Sequence, residues 1–212
     1  MAMPRLRPNE EFCPIARSLE LLGERWTLHI VRDLVTGPKR FTDLERLAVG
    51  ITPKWLTARL RALEAAGVVE REGRDYRLTP KGKDLRPLLE ELALWSTKHD
   101  LRPPRPGEKI VPEHEMWGLE VFLNRAGTRA SKPVTWLLRL EGDVRHTLRF
   151  DGERWHWERG EADADVVLTT TARGWASLLA AAHAGASTAP AGYALDGKPA
   201  RVREFRRLFI LG

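Results

Sequence analysis

Lys54, Thr57 and Arg61 recur at three- and four-residue spacing, with Arg59 between them. Arginine and lysine neutralise phosphates or hydrogen-bond to guanine edges, while threonine and alanine leave room for a base to approach. The combination suits contact with duplex DNA, provided one helix carries all of them. Thr52 is a suitable N-cap, Pro53 suits the first helical position and Gly67 follows the last periodic residue, so a helix from Pro53 to about Ala66 is predicted. Leu56, Leu60 and Leu63 then form a narrow inward stripe. Lys54, Thr57, Ala58 and Arg61 point away from it, and Arg59 lies on its flank. An ordinary amphipathic surface helix has the same pattern, so the neighbouring segments must decide.

After this helix, Val68-Val69-Glu70-Arg71-Glu72 and Tyr76-Arg77-Leu78-Thr79 are strand-like runs around Gly73-Arg74-Asp75, which reads as a hairpin. Before it, Thr42 is read as an N-cap with Glu45 completing a capping box, and Leu44 and Leu47 face inward. A short helix, a basic helix and a hairpin make a winged helix, with Arg71, Arg74 and Arg77 as wing cations able to meet a sugar-phosphate strand. Further upstream, Ile15, Leu19 and Leu22 recur at helical spacing and stop at Gly23. Trp26, Ile30, Asp33 and Leu34 mark a second helix that ends at Gly37-Pro38. Downstream, Thr79-Pro80 opens a helix whose Leu85, Leu88, Leu89, Leu92 and Trp95 form a stripe wide enough to pack on its own domain and on a twin subunit. A homodimer is expected, since two half-sites need two copies; closing the core alone is the other role open to this stripe.

Charge distribution agrees with a polyanionic partner. Of the 212 residues, 1–105 hold 20 Lys and Arg against 15 Asp and Glu, whereas 106–212 hold 15 against 14. Residues 38–62 concentrate Lys39, Arg40, Arg46, Lys54, Arg59 and Arg61 against only Asp43 and Glu45. A solvated basic face is the alternative. No 18-residue apolar run exists to span a bilayer, residues 1–12 lack the apolar core of a signal peptide, and the single Cys13 excludes an internal disulfide. A cytoplasmic protein without membrane contact is therefore expected.

Residues 13–95 closely resemble the HxlR family of bacterial winged-helix transcription regulators. The carriers are Cys13-Pro14, Gly23-Glu24-Arg25-Trp26-Thr27, Gly37-Pro38-Lys39-Arg40-Phe41, Gly50-Ile51-Thr52-Pro53-Lys54, Leu56-Thr57, Arg59-Leu60-Arg61-Ala62-Leu63-Glu64, Gly67-Val68-Val69 and Tyr76-Arg77-Leu78-Thr79-Pro80-Lys81-Gly82. The resemblance implies a homodimer with Thr52, Lys54, Thr57 and Arg61 at the major groove and Lys39 and Arg40 near the backbone. The wing, with Arg71 and Arg74, is several residues shorter than is usual in that family. In some members the cysteine at the position of Cys13 senses oxidants or electrophiles; a buried packing thiol is the alternative here.

Residues 101–112, LRPPRPGEKIVP, have the composition of a stiff linker, which sets an expected boundary between domains 1–104 and 105–212. Past it, Met116, Leu119, Val121 and Phe122 open a helix. Residues 134–140, 144–150 and 154–158 alternate between turn-rich separators and read as an antiparallel meander. Residues 164–170 add a strand, Trp175, Leu178 and Leu179 a helix, and Val202, Phe205, Leu208 and Phe209 a last one. The expected class is a mainly α winged helix-turn-helix domain followed by an α+β antiparallel sheet with helices. The second half resembles the sterol-carrier-protein type-two-like fold. The residues that carry this likeness are Asp151-Gly152-Glu153-Arg154-Trp155, the strand from Asp163 leading to Trp175, and Tyr193-Ala194-Leu195-Asp196-Gly197-Lys198. That resemblance implies an apolar cavity and an apolar small-molecule effector, with Trp117, Phe122, Trp136, Leu138, Trp155, Trp157, Trp175 and Phe205 as candidate lining. Such aromatics also build ordinary cores.

No glycine-rich phosphate loop, GxSxG, HExxH or CxxC occurs, and the six histidines lack ligand spacing, so no enzymatic activity, metal or cofactor is expected. The competing reading is a lipid or small-molecule carrier with a helical appendage that does not bind DNA. It leaves the basic helix unexplained.

Overall fold

The computed structural model describes residues 12–184 and 191–208. The chain divides into two compact units, Met1–Leu89 and Glu90–Gly212, whereas the sequence places the boundary later, at 104/105.

The first unit runs α1 (Pro14–Leu22), α2 (Thr27–Val35), β1 (Lys39–Arg40), α3 (Phe41–Leu47), α4 (Pro53–Ala65), β2 (Val69–Glu72), β3 (Asp75–Leu78) and α5 (Pro80–Lys83), and the unit boundary falls inside α6 (Arg86–Asp100). Ile30, Val31, Leu34, Leu44, Leu47, Leu56, Leu60, Leu63, Val69 and Leu78 are among its buried apolar residues. The start of α4 follows from Thr52, whose Oγ1 accepts from the Trp55 amide, and from Pro53, which forfeits no helical hydrogen bond there. Its end is a Schellman motif: Val68 N–H donates to Leu63 O and Gly67 N–H to Glu64 O, with Gly67 at φ 67°. The wing is a three-stranded sheet ordered β1-β3-β2, in which Arg71 pairs with Tyr76 and Glu72 with Asp75.

Three helix expectations are corrected. The third helix starts at Phe41 with Arg40 as its N-cap, not Thr42, because the Asp43 carboxylate accepts from the Arg40 backbone N–H and takes the role assigned to Glu45. The helix expected from Thr79 onward is interrupted between Lys83 and Arg86. Pro87 has no amide to donate and its ring would strike the carbonyl four residues back, so it is accommodated only in the first turn of a new helix, α6. Trp26, placed by periodicity in the second helix, is instead its N-cap, at a left-handed φ of 75°.

The second unit continues with α7 (Pro112–Arg125), β4 (Val134–Leu140), β5 (Val144–Phe150), β6 (Trp155–Arg159), β7 (Val166–Thr170), α8 (Ala172–His183), β8 (Tyr193–Gly197) and α9 (Pro199–Leu208). Its sheet is ordered β6-β5-β4-β7-β8. Strands β4 to β6 form the expected meander, but β7 pairs with β4 in parallel, with Leu138 opposite Leu168. The sheet is therefore mixed, which corrects the antiparallel expectation; β8, not foreseen as a strand, closes the far edge antiparallel to β7. Alternation of side chains reports a half-buried strand and carries no information about its direction. Asn124 locks α7 to β6: its Oδ1 accepts from Trp155 N–H and its Nδ2 donates to Trp155 O, each at 2.9 Å. Val202, Phe205 and Leu208 lie on α9, while Phe209 lies outside the described residues.

Candidate nucleic-acid interface and apolar cavity

Helix α4 separates its faces as its sequence demands. Leu56, Leu60 and Leu63 are buried, whereas Lys54, Ala58 and Arg61 are exposed and Thr57 is half-buried beside them. Thr52 is exposed at the N-cap, with its hydroxyl turned to the helix. Arg59 is placed differently. Its Nη2 lies 2.7 Å from Glu24 Oε2, and the two side chains are only 12% and 17% exposed.

The wing gathers further cations. β1 sets Lys39 opposite Tyr76 and Arg40 opposite Asp75, so both sit beside the hairpin. Lys39 is half-buried and its Nζ donates to Gly37 O; Arg40 is exposed, 3.8 Å from Asp75. Arg74 is exposed at the tip. Arg71 is also exposed, donates from Nε to Gly73 O and lies 5.6 Å over the Tyr76 ring, a contact that orients its guanidinium. Arg77 pairs with Glu70 and Glu72 at 2.9 and 2.8 Å, so its charge is largely offset within the wing.

Three residues near the start of α4 were not singled out as contacts from sequence. Arg25, Trp26 and Trp55 line a cleft of about 340 Å³ with Gly50, Thr52 and Arg59, and the Arg25 guanidinium lies 4.8 Å over the Trp26 ring. Trp55 is 39% exposed. An aromatic between the two faces of a helix gives no clear periodic signal, and the left-handed backbone of Trp26 has none at all.

Against this geometry, the profile of the HxlR-like helix-turn-helix family matches residues 21–102. HTH-type transcriptional regulator YybR of Bacillus subtilis is 35% identical over 95 residues, covering 42% of this chain and 76% of its own. Rv3095 of Mycobacterium tuberculosis, also described as an HTH-type transcriptional regulator, is 38% identical over 117 residues, 52% of this chain and 73% of its own. The chain belongs to the HxlR-like helix-turn-helix family. It is thus a transcriptional regulator of helix-turn-helix type, with DNA as its partner. Among solved structures, quinone-bound YodB of B. subtilis is 38% identical, covers 40% of this chain and 97% of its own, and superposes with a TM-score of 0.38.

The second unit of this HxlR-like regulator places its aromatics in two ways. The Trp136 ring lies 4.5 Å from Trp155, tilted against it, and 4.7 Å from Phe205 in an edge-on contact, and Phe150 lies 5.1 Å from Trp155. These rings, with Leu138 and Trp175, are buried core; Trp117 is buried as well, and half-buried Trp157 packs against the core cluster. A separate cavity of about 370 Å³ lies among α7, α8, the end of α9 and residues 97–101. Of the eight aromatic and leucine side chains proposed as lining, Phe122 alone borders it. Periodicity marks which residues leave water and is silent on whether they meet a ligand or one another.

Cys13 is a half-buried free thiol at the N-cap of α1. Among the described residues no group of three His, Cys, Asp or Glu could hold a metal ion, and no helix is long and apolar enough to cross a membrane.

Proposed function

We propose that this regulator binds specific duplex sites as a homodimer, with α4 of each copy in a major groove, and that an apolar small molecule bound in the second unit modulates that binding. The supporting observation is the division of α4: three leucines buried, with Lys54, Ala58 and Arg61 facing solvent. Arg61 is assigned to a base edge, Lys54 to a phosphate, and Thr52 and Thr57 to close approach at the groove. Lys39, Arg40, Arg71 and Arg74 hold the flanking backbone. Arg59 is given another task, bracing α4 against Glu24.

Pairing of two copies is supported by apolar side chains that a lone chain leaves in water. Leu88, Leu92 and Trp95 on α6 are 41%, 44% and 62% exposed, and Ile15 and Leu19 on α1 are exposed too. The effector role is supported by the cavity and by the sequence resemblance of the second half to the sterol-carrier-protein type-two-like fold. Cys13 is kept as a candidate oxidant-responsive thiol, to be tested by alkylation. The whole reading is tested by selecting bound fragments from random duplex DNA, then measuring stoichiometry by sedimentation. Recovery of a two-fold related motif bound by two chains is expected; one chain per site, or no enriched motif, contradicts it.

A further inference from the structure

The cavity of about 370 Å³ in the second unit falls in the range of about 300–1,000 Å³ usual for small-molecule sites. Helix α7 presents Glu115, Gly118 and Phe122 to it from one face, as their spacing of three and four residues requires, and Leu179 and His183 of α8 lie across from them. Gly118 is the informative residue. Glycine is disfavoured in a helix interior, and tight packing usually explains it there. Here nothing lies within 4 Å of the point a Cβ would occupy, so the absent side chain serves no close contact and adds to the open volume.

The wall also carries one carboxyl group, that of Glu115. Among the lining residues there is no lysine or arginine, and one carboxyl oxygen of Glu115 is buried. A carboxyl group attracts an amine whichever of the two holds the proton, and the low dielectric of an apolar cavity strengthens the attraction. A ligand carboxylate would meet like charge there or have to take up a proton. His183, exposed at the end of α8 and edge-on to Phe122 at 6.1 Å, is screened by water and weighs less.

We propose that this cavity, and not the tryptophan cluster, is the small-molecule site, and that it takes a lipophilic amine with its apolar body against Phe122 and Leu179 and its nitrogen toward Glu115. The regulatory meaning of the site rests on the function proposed above; its occupancy does not. Isothermal titration of the full chain without DNA, using 4-butylbenzylamine and 4-butylbenzoate as matched probes, tests it. The amine should bind saturably and at least about tenfold more tightly than the benzoate. Glu115→Gln should remove most of that preference, Gly118→Phe should weaken amine binding by about tenfold or more, and Gly118→Ala should leave it nearly unchanged. If Gly118→Phe fails to fold by circular dichroism, Leu179→Trp fills the cavity from the opposite helix and should give the same loss. Equal affinity for the two probes, or amine binding undiminished in a folded cavity-filling variant, overturns the assignment. Amine binding that leaves DNA affinity unchanged would support the site and overturn its regulatory role, which separates the two failures.

Discussion

Arg59 on α4 reaches back 35 residues to Glu24, and their 2.7 Å ion pair fastens the candidate recognition helix to the turn that precedes α2. Both groups are largely withdrawn from water, so removing either leaves the other's charge poorly solvated. Arg59→Ala should cost about 1.5–3 kcal/mol, the usual worth of a hydrogen bond to a charged group, read by hydrogen exchange at α4 amides. Arg59→Ala combined with Glu24→Ala should cost less than the two single changes together. Strict additivity would show that the pair does not brace the helix.

The wing cations divide by their partners. Arg74 has no ion-pair partner among the described residues, whereas Glu70 and Glu72 already neutralise Arg77. Arg74→Ala should weaken DNA binding alike for all sequences and reduce the salt slope by about 1. Arg77→Ala should change the slope less. Fluorescence anisotropy across a salt series measures both, and equal effects would contradict the division.

Two glycines should respond in opposite directions to alanine. Gly118 lies in the interior of α7 with open space where a Cβ would stand, so Gly118→Ala should stabilise by about 0.5–1 kcal/mol. At Gly82 that Cβ would stand 2.1 Å from Val68 O, so Gly82→Ala should destabilise by about 1–3 kcal/mol through forced backbone movement. Thermal unfolding of both variants checks the signs.

Glu108 should show a pronounced acid shift. Arg102 grips its carboxylate with bonds of 2.6 and 2.9 Å, the Arg105 amide donates a third, and the carboxyl is held at about 2 instead of 4.5. Because folding lowers this value, the stabilisation is complete above about 4.5 and is lost as pH falls through about 2. Carboxyl carbon shifts followed by NMR should place the midpoint near 2, and Arg102→Gln should raise it. A midpoint at the ordinary value in the unsubstituted chain would show that the clamp is absent in solution.

What sequence could foresee depended on how local the cause was. Thr52, Pro53 and Gly67 act within one turn of α4, and both of its ends were legible from them. The hairpin around Gly73-Arg74 is equally local. The shift of α3 to Phe41 turned on a choice between two acids, Asp43 and Glu45, two residues apart. The break before α6 was legible in principle, since Pro87 stands in the sequence, but the leucine period continued across it and concealed it. Non-local facts stayed hidden: the parallel pairing of β4 with β7, the partner of Arg59, and the aromatic side chains that meet one another instead of a cavity. Gly118 gave no sign either, because the space beside it is made by α8 and other distant segments.

The outward face of α4 carries the proposed contacts with the groove. With a duplex enriched by selection, anisotropy titrations of the full chain and of Arg61→Ala and Lys54→Ala should be compared on the selected and a scrambled duplex over a range of salt. Arg61→Ala should lose about 1–3 kcal/mol on the selected site and little on the scrambled one, and Lys54→Ala should weaken both and lower the salt slope by about 1. Specific affinity and salt dependence unchanged in both variants would contradict the placement of α4 in the groove.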